Sequence, residues 1–190
     1  MSIIVVVKKN KKIVIAADGN YSFGSISVKS DYLKNRSKIQ KVGATHIGTV
    51  GATAHEHVLS DLFKRNRSKL SFESEAKIFQ SFLYLHPILK EEYFLNTSEG
   101  GDTEEYESSQ IEALIANQHG IFGVYTWREV YEYEKFWAIG SGRNFALGSL
   151  FSTYDELDKA ENIAELAVRA ACEFDDGCEL PITLHSVTEK

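Results

Sequence analysis

A serine hydroxyl attacks a carbonyl poorly unless a nearby base takes its proton. A free α-amino group, with an ordinary pKa of about 7.7–8.0, suits that task at neutral pH. Ser2 would carry both groups on one residue once Met1 is removed, and its small side chain suits removal by methionine aminopeptidase. The same serine also reads as the polar start of an apolar strand. Asp18 closes the stretch IVIAADG and likewise reads two ways, as a paired carboxylate near buried surroundings or as the opening of an Asp-Gly turn. His55-Glu56-His57 invites a metal, but imidazoles two apart on a helix point in different directions and lack the i, i+4 geometry of helical zinc ligands. No metal site is expected. Cys172 and Cys178, six apart, fit neither a disulfide framework nor a zinc site, and reduced thiols are expected.

These groups need a frame. Residues 2–9 and 12–17 are rich in Ile and Val, and Asn10 between them tolerates left-handed geometry, which predicts a hairpin starting at residue 2. Both stretches are apolar at nearly every position, so both faces of that sheet should be covered. Further strands are expected at about 21–29, 38–42 and 45–50. Ala54, Val58, Leu59, Leu62 and Phe63 follow helical spacing, which predicts a helix over 52–66 capped by Thr53. A second helix is expected over about 73–94, bent or divided at Pro87. The acidic TSEGGDTEEYESS at 97–109 has the composition of a mobile surface loop. Strands follow at 111–118 and 120–126, and 129–137 alternates as one half-buried strand. Helices are expected at about 143–154 and 160–174, then a strand at 181–187. Runs of each type predict sheets with helices on their outer faces.

With 190 residues and 43% hydrophobic content, the chain can bury the core of a single domain, 2–190, without staples. A net charge of −6 argues against nucleic-acid partners, and Lys64, Arg65, Arg67 and Lys69 read as a solvated helix end. The most apolar stretches, Ile3 to Val7 and Ile13 to Ala17, are strand-sized, so no membrane span is expected. Lysines follow the first apolar run where a signal peptide would place them before it, which predicts a cytoplasmic protein.

Four stretches, SIIVVVKKNKKIVIAADG at 2–19, SKIQKV at 37–42, GTVGATA at 48–54 and AIGSG at 138–142, follow in an order and near a spacing that resemble the proteasome β-subunit and bacterial HslV peptidase family. The resemblance covers almost the entire chain. It implies an α+β fold, the four-layer αββα sandwich of N-terminal-nucleophile hydrolases, and peptide-bond cleavage with Ser2 as nucleophile. It implies that Asp18 holds a lysine beside Ser2. Counting from Ser2 favours Lys34, whereas the apolar residue that follows the family's lysine on a short strand fits Lys38-Ile39 and requires an insertion of about four residues in 30–37. Lys38 is the choice, and its charge would favour the alkoxide and keep the amine neutral.

Gly48 matches the glycine whose N–H forms the oxyanion hole, and also reads as a glycine needed for close strand packing. Ser141 and Asp175 resemble the accessory serine and aspartate, with Asp176 as the neighbouring alternative and Cys178 standing where the family pattern has serine. Lys29, His46 and Thr49 are expected at the edge of the substrate pocket. No cofactor is implied; polypeptide substrates, stacked homo-oligomeric rings and an ATPase unfoldase are. Serine replaces the family's usual threonine and lacks the methyl that orients it. A weak or inactive ring scaffold, an amidase and a peptide ligase therefore stand as other readings, and a retained Met1 would favour the scaffold.

Overall fold

The computed structural model describes residues 2–24, 26–34, 37–98 and 105–190. Met1, residues 35–36 of the expected insertion and residues 99–104 of the acidic segment lie outside the described residues. Strands β1 (Ile3–Lys9) and β2 (Lys12–Ala17) form the expected hairpin, with Asn10 and Lys11 at φ 51° and 61° in its turn. A small hairpin follows, β3 (Asn20–Phe23) with β4 (Ile26–Lys29). Next come β5 (Ile39–Val42), β6 (Thr45–Val50), α1 (Ala54–Asn66) and α2 (Glu75–Glu92). The rest is β7 (Glu112–Asn117), β8 (Gly120–Val124), β9 (Val130–Tyr133), β10 (Phe136–Gly140), α3 (Arg143–Thr153), α4 (Ala160–Phe174) and β11 (Thr183–Thr188). The strands pair antiparallel in two larger sheets, ordered β10-β1-β2-β11 and β5-β6-β7-β8-β9.

Strand periodicity explains why β1 and β2 are apolar throughout. Ile3, Val5, Val7, Val14 and Ala16 pack under Ala146 and Leu150 of α3 and Ile163 and Ala167 of α4. The alternate residues Ile4, Val6, Ile13 and Ile15 meet Leu114, Ala116 and Ile121 of the other sheet. That second sheet turns Ile47, Ala113, Ile115 and Phe122 outward against Leu59, Leu62, Phe82 and Leu85 of α1 and α2. The order is helix, sheet, sheet, helix, the αββα sandwich. Each buried Ile or Leu contributes about 1.5–3 kcal/mol, so these faces fix where β1 begins and hence where Ser2 sits.

Four local expectations change. The stretch 21–29 folds back on itself at Gly24 and makes two strands. The stretch 129–137 also splits: β9 ends in one sheet and β10 begins in the other, since the chain crosses between layers at Glu134-Lys135 and Tyr133 stacks on Trp137 with ring centroids 4.9 Å apart. α2 continues through Pro87, because Leu85, His86 and Leu89 anchor both sides of it under the sheet and outweigh one missing backbone bond. Thr53 sits at the N-cap position just before α1 but makes no side-chain cap, whereas Ser74 caps α2 by accepting from the Lys77 amide at 3.4 Å. Among the described residues no helix is long and apolar enough to cross a membrane.

Candidate active site

Ser2 precedes β1 and is 9% exposed. Its backbone nitrogen donates to Ser141 Oγ at 3.1 Å, and Ser141 Oγ donates to Asp175 Oδ1 at 3.0 Å. The Gly177 amide bonds the same Asp175 oxygen at 3.0 Å, which singles out Asp175 over Asp176. Ser141 reaches Ser2 because Gly140 lets β10 come close: a Cβ on Gly140 would lie 2.2 Å from the Ser2 carbonyl oxygen, and its φ of 106° suits glycine. Gly140→Ala should therefore displace Ser2, lowering stability by about 1–3 kcal/mol in urea unfolding and impairing any reaction at Ser2. Wild-type unfolding in that variant would contradict this.

Asp18 stands where β2 leaves its sheet. Its Oδ1 accepts from the Ile3 amide at 2.9 Å and Lys38 Nζ at 2.7 Å; its Oδ2 accepts from the Asn20 amide at 3.0 Å and the Glu179 amide at 3.4 Å. The ion pair is almost fully enclosed, with side-chain exposures of 3% for Lys38 and 0% for Asp18. Lys38 directly precedes β5, and its carbonyl accepts from the Thr49 amide of β6 at 3.3 Å. One carboxylate thus ties the first residues of β1 to the lysine. Ser2, Lys38, Thr49 and Tyr21 share a cavity of about 260 Å³.

Lys38, not Lys34, reaches Asp18; Lys34 lines a separate groove between β5 and α1 with Lys41, Lys64 and Arg67. Lys29 lies outside the cavity, bonded to Glu179 at 2.8 Å, one contact behind Asp18.

Gly48 also stands apart. It pairs with Ile39 and Leu114 inside its sheet, and a Cβ there would lie 2.8 Å from Ile4 Cγ2. Its bareness serves the packing of one sheet on the other. The glycine that reaches the cavity is Gly51, at φ 105° between β6 and α1. The six-residue strand ending at Val50 and the helix starting after Thr53 leave only a short turn at the sheet's end, which is the sequence signal for Gly51. Nothing in the local pattern marks Tyr21, whose place depends on the β3–β4 hairpin.

His46 does not border the cavity, because it lies four steps along β6 from Val50, about 13 Å of strand. It stacks on His185 of β11 between the two sheets, with ring centroids 4.7 Å apart and 14° between planes. Burial first, then the neighbouring His185 and Lys41, hold the His46 pKa below its ordinary 6.5; burial and Lys41 do the same for His185. The unfolded chain then binds protons that the folded chain refuses as pH falls below about 6.5, so stability is full above that value and declines beneath it. Urea midpoints should fall between pH 7.5 and 5.5, and His46→Gln/His185→Gln should flatten the decline. An equally steep decline in that variant would count against the pair.

The thiols near the site are unreactive. Burial pushes Cys172 up to about 11 and Cys178, packed near Gly142, higher still.

Known proteins share this fold. The sequence profile described as proteasome subunit matches residues 2–180. The ATP-dependent protease subunit HslV of Hyphomonas neptunium is 28% identical over 176 residues, covering 90% of this chain and 84% of that protein. A structure of Thiobacillus denitrificans BPH in complex with epoxomicin superposes with a TM-score of 0.91 at 35% identity, covering 99% of each chain. Eukaryotic HslV from Trypanosoma brucei, at 18% identity and a TM-score of 0.73 over 98% of this chain and 99% of its own, shares the fold. With a profile match across almost its full length and a close structural relative, the chain belongs to the proteasome subunit family.

Proposed function

We propose that the chain is an N-terminal-nucleophile peptidase subunit in which Ser2, once Met1 is gone, is the catalytic residue. The observation that carries this reading is the convergence on Ser2 of two linked pairs: Ser141 with Asp175 at its nitrogen, and Asp18 with Lys38 at the shared cavity. Ser2 Oγ attacks the peptide carbonyl and its proton passes to the terminal amine through water; that proton goes to the leaving amine as the C–N bond breaks, and a second water hydrolyses the ester and restores the Ser2 hydroxyl. Lys38 stabilises the developing alkoxide and keeps the amine in its neutral, proton-accepting form. The Gly51 amide, at the positive end of α1, takes the oxyanion role expected of Gly48.

The relatives named as ATP-dependent protease subunits support polypeptide substrates and an ATPase partner, and we propose beside them stacked rings of identical copies and a cytoplasmic setting. Phe145, Phe151 and Phe174 are exposed on α3 and at the end of α4, apolar surface that contact between copies would cover. Intact-mass spectrometry tests the condition on which the chemistry depends. A chain lacking Met1 supports the peptidase; a chain that keeps it has a blocked amine and is a ring scaffold.

A further inference from the structure

The cavity beside Ser2 has one aromatic wall among the described residues, Tyr21 of β3, which is 4% exposed. The Tyr21 ring lies over the lysine that Asp18 holds, with Lys38 Nζ 5.4 Å from the ring centroid and 2.7 Å from Asp18 Oδ1. An ammonium on a four-carbon stem can pivot about a single carboxylate contact. A ring face attracts the cation from a second direction and excludes water there, so carboxylate and ring together fix where the charge points. The same ring restricts the cavity. Thr49, Gly51, Ala52 and Thr53 supply much of the remaining wall and are small, so Tyr21 sets how large a group fits in about 260 Å³.

We infer that Tyr21 positions Lys38 and forms the wall that bounds the substrate side chain beside Ser2, a specificity that rests on the peptidase reading above. Tyr21→Phe keeps the ring, and Tyr21→Ala removes it. Kinetics would be compared on two peptides that differ only in alanine or phenylalanine before the cleaved bond. The Phe variant should stay within about twofold of wild type on both. The Ala variant should lose about tenfold or more in kcat on the alanine peptide, while its KM for the phenylalanine peptide falls relative to that for the alanine peptide. Tyr21→Leu, which fills space without a ring, replaces the Ala variant if that one fails to fold.

A readout independent of activity separates this inference from the reading beneath it. In spectra of ¹³Cε-labelled lysine, assigned with Lys38→Arg, the Lys38 signal should move in the Ala or Leu variant and not in the Phe variant. That pattern in a protein that hydrolyses neither peptide would leave the lysine placement standing and reject the peptidase. An unmoved Lys38 signal or a wild-type kcat in the Ala or Leu variant, or a wild-type peptide preference in the Ala variant, would overturn the role of Tyr21.

Discussion

Ser2→Ala should lower peptide hydrolysis by about a thousandfold or more while leaving the fold intact, because it deletes one oxygen at a site whose frame does not depend on it. Backbone contacts help hold Ser2 in place: its nitrogen to Ser141 and its carbonyl beside Gly140 and Gly142. Alanine keeps all of them. The loss should therefore appear in kcat, with urea unfolding unchanged. Ser2→Thr restores the family's usual residue and its orienting methyl, so it should keep or raise kcat. A Ser2→Ala protein with wild-type turnover would remove Ser2 from the chemistry.

The second large effect is on stability, and it is asymmetric. Asp18→Asn leaves the Lys38 ammonium buried without its anion, which costs about 3–5 kcal/mol. Lys38→Met should cost less, because the Asp18 carboxylate keeps three backbone N–H donors, from Ile3, Asn20 and Glu179. The double variant should cost less than the sum of the two, since no charge is left unpaired, although asparagine keeps one acceptor oxygen and sets its –NH2 against amides that the other carboxylate oxygen served. Urea unfolding of the four proteins gives the coupling directly. Additive losses, or a Lys38→Met as damaging as Asp18→Asn, would contradict the geometry. Each variant should also lose hydrolysis, because each removes the charge beside Ser2 or its anchor.

The layers were legible wherever one periodicity governed a segment. β1 and β2 announced two covered faces because nearly every position was apolar, and α1 and α4 followed helical spacing. What failed locally depended on contacts distant in sequence. Alternation through 129–137 is the same whether one strand or two strands in different sheets carry it, and only the packing of β10 on β1 divides it. Pro87 is a helix breaker by local chemistry, and burial on either side overrides that.

The site divides in the same way. Asp18, Lys38, Ser141 and Asp175 lie at ends of elements whose order is visible in the sequence, and the structure joins them pairwise. Gly48 and His46 share β6 with the cavity-lining Thr49 and Val50, but reaching the cavity depends on how near the strand's end a residue lies. Gly48 lies within the strand and meets Ile4 of the facing sheet, while Gly51, past the strand's end, meets the cavity.

The most direct test of Ser2 and its own amine as the catalytic unit is to express the chain with a removable leader fused ahead of Ser2, and assay peptide hydrolysis before and after an added protease exposes the Ser2 amine. Hydrolysis should be absent with the leader attached, appear on release, and fail to appear in the released Ser2→Ala chain. Equal hydrolysis before and after release would contradict the account.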